Sequence, residues 1–174
     1  MCPRKLLLIL LLFFSCDRLF AATFTVTSNA DSGPGTLRQA LLDAAANGTA
    51  TMDTINFNLT YVNQASITIT VQTQLPDVTA NIIIDGTTQP GLPLGVSNAK
   101  IIITPATPAA GLSGLNISNL VGPTDVVTIY GLYIDGFSPN QQGLGNGIVT
   151  NADCVLTIGA PGKGNVIRAA CIFG

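Results

Sequence analysis

Short stretches of β-branched residues return along most of this chain, and each ends within a few residues at Gly, Pro, Asp or Asn. In Thr23-Phe24-Thr25-Val26-Thr27 polar and apolar residues alternate, which predicts a strand with one buried face. Two later stretches end in the same tripeptide, Ile84-Asp85-Gly86 and Ile134-Asp135-Gly136. The further predicted strands are 54–58, 66–71, 82–84, 101–103, 126–129, 132–134 and 165–167.

One segment follows a helical period instead. Four apolar residues between positions 37 and 44 are spaced i, i+3, i+4 and i+7, which places them on one face of an amphipathic helix. Ser32 is the predicted N-cap with Pro34 in the first turn, and Asn47-Gly48 supplies a left-handed stop. The helix is predicted over 36–46. Its apolar residues are Leu37, Ala40, Leu41 and Ala44.

Together these elements predict an all-β solenoid, in which the chain winds in parallel coils behind one helix. The long turn-rich loops 87–95 and 104–114 favour this interpretation, because a hairpin needs short matched turns whereas a parallel coil accepts loops of any length. The lone helix ahead of the repeats fits as a cap, since a solenoid needs its apolar end covered. A β-sandwich, which also uses many short strands between turns, is the alternative.

The first residues have the pattern of a secretory signal peptide. Arg4 and Lys5 precede nine consecutive apolar residues, 6–14. That run is too short to cross a bilayer, which takes about 20 apolar residues in a helix, so no transmembrane span is expected. Cleavage near Ala22 predicts a secreted or cell-surface protein, and lipid attachment at Cys16 is the alternative. The predicted divisions are a signal peptide (1–22), a strand and helix cap (23–60) and parallel coils (61–174).

Composition removes several classes of chemistry. The chain of 174 residues carries a net charge of −2 and contains no His. Without His, the Ser-His-Asp and Cys-His arrangements of hydrolases cannot form, and neither a metal nor a cofactor is expected. Cations are too sparse for a nucleic-acid surface. Beyond the signal peptide they are Arg38, Lys100, Lys163 and Arg168.

Two cysteines, Cys154 and Cys171, lie beyond the predicted signal peptide. After export they are candidates for one disulfide, and two small buried residues are the alternative. Two thiols without a histidine cannot complete a tetrahedral zinc site, so no metal role is predicted for them.

The start of the predicted mature chain resembles a known family. Residues 25–41, followed by Asp-Thr-Ile-Asn-Phe at 53–57, are similar to the N-terminal cap of secreted bacterial right-handed parallel β-helix repeat proteins. Gly35-Thr36-Leu37-Arg38-Gln39-Ala40 takes the place of that family's Cys-Ser-Leu-Arg-Glu-Ala (CSLREA) motif, without its Cys and Glu. Segments 84–91 and 158–167 also resemble elements of those chains. The resemblance implies an extracellular right-handed parallel β-helix with one N-terminal capping helix, which acts in adhesion or glycan contact and has no defined catalytic set.

Two sets of side chains are candidates for function. Asp85 and Asp135 could form the paired carboxylates of a polysaccharide lyase or hydrolase, although Asp-Gly is foremost a turn signal. Tyr130, Tyr133 and Phe137 accompany alternating aliphatic residues, and the two tyrosines are predicted to point outward. Exposed aromatic rings suit a polysaccharide or a cell-surface glycan as partner.

The chain stops soon after a predicted strand without a polar cap, so an open solenoid end is expected there. The chain is therefore predicted to be part of a longer solenoid or to stack on a partner. The predicted function is a non-catalytic adhesion or glycan-binding module at the cell surface. A pectate-lyase-like polysaccharide enzyme and a purely structural cap of a longer surface protein are the alternatives.

Overall fold

A computed structural model describes residues 20–95, 97–107, 111–137 and 145–168 in full and 171–173 by their backbone. Within these residues, twelve strands, one α-helix and two short 3-10 turns follow one another. The strands are β1 (Thr23–Val26), β2 (Asp53–Phe57), β3 (Thr68–Val71), β4 (Ile82–Asp85), β5 (Ile101–Pro105), β6 (Leu115–Ile117), β7 (Val126–Tyr130), β8 (Leu132–Asp135), β9 (Asn146–Thr150), β10 (Val155–Ile158), β11 (Val166–Arg168) and β12 (Cys171–Phe173). The helix is α1 (Leu37–Asn47), and the 3-10 turns are Gln64–Ile67 and Gly86–Thr88.

The strands form three parallel sheets. Their strand orders are β1-β2-β4-β7-β10, β11-β8-β5-β3 and β12-β9-β6. Strands β7, β8 and β9 each enter a different sheet, and β10, β11 and β12 repeat that order. We call one such succession of strands through the sheets a pass. Strands that pair within a sheet therefore come from different passes of the chain. Every strand pairing in the described part of the chain is parallel.

This arrangement corrects the predicted fold class. The sequence predicts an all-β right-handed parallel β-helix, with a β-sandwich as the alternative, and this class is wrong. The structure is mixed, because three parallel sheets combine with α1 in an arrangement like that of parallel α/β proteins, and the described residues do not show a closed solenoid. The parallel pairings also exclude an antiparallel sandwich. A β-branched tract specifies a strand but not its neighbours, which depend on long-range pairing.

Aliphatic side chains from neighbouring strands stack in rows on the inner faces of the sheets. The register of the five-stranded sheet aligns Ile55, Ile84 and Ile129, and all three are fully buried. The four-stranded sheet aligns Ile103 with Ile134 in the same way. A buried aliphatic side chain of this size stabilises the native state by about 1.5–3 kcal/mol relative to an exposed one. These rows therefore hold successive passes of the chain together.

Helix α1 packs beside β1 and β2 and buries the predicted apolar face. The Thr36 side chain accepts a hydrogen bond from the Gln39 backbone N–H at 3.2 Å and caps the helix, and Gly48, with a φ of 78°, follows its end. The predicted helix and its glycine stop are confirmed. The predicted N-cap is wrong, because Ser32 and Pro34 lie in the bend and turn before Thr36.

Arg38 joins the helix to two loops. Its guanidinium forms an ion pair with Asp31 at 2.8 Å and donates to the carbonyls of Gln74 at 2.7 Å and Thr73 at 2.8 Å. Charge-assisted hydrogen bonds of this kind are stronger than neutral ones. The arginine of the segment that resembles the family motif thus has a structural role in this protein.

Side-chain amides replace backbone partners where strands end. Gln89 donates from Nε2 to the Leu59 carbonyl at 2.8 Å and accepts at Oε1 from the Leu59 N–H at 2.8 Å. Asn165 accepts from the Leu132 N–H at 2.9 Å and donates to the Ile129 carbonyl at 2.7 Å. Each amide thereby satisfies two backbone groups of another pass, as buried backbone groups require.

The predicted signal peptide, 1–22, lies outside the described residues except for its last three positions, and so does Cys16. In the described part of the chain, no helix has the length and apolar character needed to cross a membrane. Secretion, lipid attachment and the boundary at residue 60 stay predictions.

Candidate functional site

The two Asp-Gly elements are separated by the fold. Asp85 ends β4 in the five-stranded sheet, whereas Asp135 ends β8 in the four-stranded sheet. In the strand register, Asp85 lies beside Tyr130, and Asp135 lies beside Arg168. The fold therefore does not bring the two carboxylates onto one sheet face, where a paired-carboxylate mechanism would need them.

Asp85 is held at the start of the 3-10 turn Gly86–Thr88. Its Oδ1 accepts hydrogen bonds from the Thr87 backbone N–H at 3.0 Å and from the Thr87 hydroxyl. Its Oδ2 lies 2.6 Å from the Lys163 ammonium. The residue is only 6% exposed. The carboxylate caps a turn and anchors a lysine, so the turn interpretation of this Asp-Gly pair is confirmed.

These contacts predict an acid-sensitive contribution to stability. Burial raises the pKa of Asp85, but hydrogen bonds from Lys163 and Thr87 outweigh it and leave that pKa below the ordinary value of 3.8. A carboxyl whose pKa is lowered by folding stabilises the native state above its unfolded pKa, and the contribution is lost as pH falls through the folded pKa. Asp85→Asn should therefore lower the urea midpoint at about pH 6 and lose this effect towards about pH 2.

The matched control is Asp43→Asn, which changes an exposed carboxylate on α1. We expect its urea midpoint to follow that of the wild type much more closely across the same pH range. A constant difference between wild type and Asp85→Asn at every pH would contradict the stabilising role of the ionised Asp85.

Tyr130 at the end of β7 and Tyr133 on β8 each lie against one cation, Lys163 and Arg168 respectively, and we call these four residues the tyrosine-cation surface. Both tyrosines are half-buried. Lys163 Nζ lies 4.9 Å from the centre of the Tyr130 ring, and the Arg168 guanidinium carbon lies 6.0 Å from that of Tyr133. Arg168 also donates to the Tyr133 hydroxyl oxygen at 2.6 Å. Cation–π contacts and the hydrogen bond hold both rings in place at the surface.

The strand register shows what surrounds Tyr133. Its partners on the two neighbouring strands are Val166 and Ile102, so an apolar row crosses the outer face of the four-stranded sheet. Arg168 and Asp135 are partners in the next outward-facing row. The outer face thus combines an aromatic and aliphatic strip with a polar edge.

Phe137 does not join this surface. Its ring is 2% exposed and belongs to the hydrophobic core. The prediction that Phe137 contributes to ligand binding is therefore wrong. The chain turns at Gly136, which has a φ of 83°, and after this turn the alternation along β8 no longer sets which way a side chain points.

The predicted disulfide stays a prediction. Cys154 lies just before β10 and is half-buried, and burial raises the pKa of its thiol, with Asp125 and Asp153 adding to the effect. A raised thiol pKa makes the side chain a poor nucleophile at neutral pH. Cys171 begins β12 in a different sheet, and its side chain lies outside the described part.

A second surface feature, which no sequence pattern predicted, is a groove of about 310 Å³ between the loops that follow β2 and the 3-10 turn Gly86–Thr88. We call it the Tyr61 groove. Tyr61 is 62% exposed and Leu92 is 89% exposed. Large apolar residues inside turn-rich loops are the sequence feature that could have indicated this groove. Prominent lining residues are Tyr61, Gln64, Ile67, Pro90, Leu92 and Lys100.

Within the described residues, no group of three or more His, Cys, Asp or Glu side chains is placed to hold a metal ion. No protein-family model, no curated protein and no solved structure matches the chain. The resemblance to the cap of secreted β-helix repeat proteins, and the activity that it implies, therefore stay predictions.

Proposed function

We propose that this chain is a non-catalytic extracellular glycan-binding module and that the tyrosine-cation surface contacts the glycan. The observation that carries the proposal is the pair of half-buried tyrosine rings, each held by a cation. The extracellular setting rests on the signal-peptide pattern of the first residues.

The chemistry of a sugar ring matches this surface. A pyranose has an apolar face of C–H groups and a rim of hydroxyls. Tyr133 and Val166 are half-buried and supply an apolar strip for the face, and Arg168 and Asp135 supply hydrogen-bonding groups for the rim. Because Arg168 already holds the Tyr133 ring, binding orders fewer side chains and costs less entropy.

The charges on the surface favour a neutral glycan. Lys163 already pairs with Asp85, and Arg168 lies in register with Asp135. A strongly acidic polymer would have to approach these carboxylates, which opposes its binding. A neutral polysaccharide meets no such repulsion, so its hydroxyls and ring faces are the better complement.

The first test removes one ring. Tyr133→Ala is expected to weaken binding to a neutral polysaccharide about tenfold, because it removes both the aromatic contact and the partner of Arg168. Binding is measured as retardation in native gels that contain soluble xylan, mannan or mixed-linkage glucan. Tyr61→Ala is the matched control, since it deletes the same side chain from the Tyr61 groove, outside the tyrosine-cation surface.

Several results would contradict the proposal. Wild type and Tyr133→Ala could show equal mobility in every polysaccharide, or Tyr61→Ala could lose retardation while Tyr133→Ala keeps it. Release of reducing or unsaturated ends by the wild type during incubation with these polysaccharides would contradict a non-catalytic role.

A further inference from the structure

The Tyr61 groove has the size and the walls of a small-ligand site. Its volume of about 310 Å³ is near the lower end of the range of about 300–1,000 Å³ for small-molecule pockets. Pro90, Leu92 and Ile67 supply apolar walls, and Tyr61 adds an aromatic ring with a polar tip. Tyr61 and Leu92 are both exposed, so their side chains are accessible to a ligand in the groove.

The two loops that form the groove are tied together beneath it. Leu59 starts one loop and Gln89 starts the other, and the Gln89 amide bonds to both the N–H and the carbonyl of Leu59 at 2.8 Å. Gln89 is 1% exposed, so solvent does not compete for these hydrogen bonds. The walls are therefore set before any ligand arrives, which lowers the entropic cost of binding.

Lys100 gives the groove one positive charge. The side chain is partly buried, and its ammonium donates a hydrogen bond to the Gln89 carbonyl at 2.8 Å. An ammonium has three N–H donors, so this bond leaves two for other partners. Among the described residues two ion pairs form, Arg38 with Asp31 and Lys163 with Asp85, and Lys100 is in neither.

We propose that the Tyr61 groove binds a small amphiphilic anion, with its apolar body against Tyr61 and Leu92 and its anionic group on the Lys100 ammonium. A partly buried cation that pairs with no carboxylate of the described residues favours an anion, and the apolar walls favour a hydrophobic body. This site is separate from the tyrosine-cation surface and does not depend on the proposed glycan binding.

Two fluorescent probes that differ in charge test the proposal. Anilinonaphthalene sulfonate carries one negative group on an apolar aromatic body, and N-phenylnaphthylamine has the same body without the charge. The sulfonate probe is expected to bind wild type at one site per chain and about tenfold more tightly than the neutral probe, as one charge-assisted hydrogen bond would give. Fluorescence titration measures both dissociation constants.

Variants then locate the site. Lys100→Met should abolish the preference for the anionic probe, and Lys100→Arg should keep it because the charge is retained. Lys163→Met is the matched control, since it removes a lysine outside the groove, and it should leave the preference unchanged. Tyr61→Ala should weaken binding of both probes, whereas Tyr133→Ala should affect neither. Thermal unfolding checks that each variant is folded.

Equal affinity of the two probes for wild type would overturn the proposal. An unchanged preference in folded Lys100→Met, or a loss of preference in Lys163→Met, would overturn it as well. Loss of polysaccharide binding in Tyr133→Ala with unchanged binding of both probes would support a groove that is separate from the glycan site.

Discussion

Replacing Gln89 by leucine is expected to lower the free energy of unfolding by about 2–6 kcal/mol. Leucine has a similar size but cannot bond to the N–H and carbonyl of Leu59, both of which the Gln89 amide now satisfies at 2.8 Å. Each buried backbone group left without a partner costs about 1–3 kcal/mol. Urea unfolding followed by circular dichroism measures the change.

Gln72→Leu is the control for this variant. The Gln72 side chain is exposed, so the same substitution there changes composition without removing a buried hydrogen bond. We expect a change within about 0.5 kcal/mol, as for most surface substitutions. Similar losses for both variants would mean that the Gln89 amide does not stabilise the Leu59 backbone.

The second large effect is expected at Gly131, between β7 and β8. This residue has a φ of 66°, and a Cβ there would collide with the backbone nitrogen of Thr87. Gly131→Ala should cost about 1–2 kcal/mol for the left-handed conformation and about 1–3 kcal/mol for overpacking. The sum, about 2–5 kcal/mol, is measured by urea unfolding.

Gly48→Ala separates the two causes. Gly48 has a similar φ of 78°, but a Cβ there would meet nothing within 4 Å. With a ψ of −159° this glycine lies in a region that other residues rarely adopt, so its substitution should cost only the conformational part, about 1–3 kcal/mol. An equal loss in both variants would show that the close approach of Gly131 to Thr87 relaxes without cost. Because Tyr130 and Tyr133 lie within two residues of Gly131, Gly131→Ala should also weaken polysaccharide binding.

Local patterns predicted local structure well. The helical spacing of four apolar residues located α1, and alternating or β-branched tracts located β1, β2, β3, β4, β5, β7, β8 and β11 to within about two residues. Strands β6, β9, β10 and β12 were not predicted. In β6 and β9 the Asn and Gly residues are unfavourable in strands, and only pairing with neighbouring passes stabilises them. The Ser32 cap failed because Thr36 lies closer to the first helical turn.

The candidate site was predictable only in part. Alternation along β8 indicated that Tyr133 faces outward, because Leu132 and Ile134 on either side face the core. Its partner Arg168 lies 35 residues later, and no local pattern relates the two side chains. Phe137 was misplaced because a turn at Gly136 interrupts the alternation.

The sequence by itself determined where strands, helix and turns occur, because hydrophobic period, capping residues and glycines act over a few neighbouring residues. It also excluded reactions that need a histidine side chain of this chain, because the chain contains no histidine. Tertiary structure decided which strands pair, how three sheets combine with one helix, and that Asp85 and Asp135 lie in separate sheets. It also placed Lys163 against Asp85, 78 residues earlier, and Lys100 in the Tyr61 groove. Contacts between distant residues follow from packing and register over the whole chain, which no short pattern encodes.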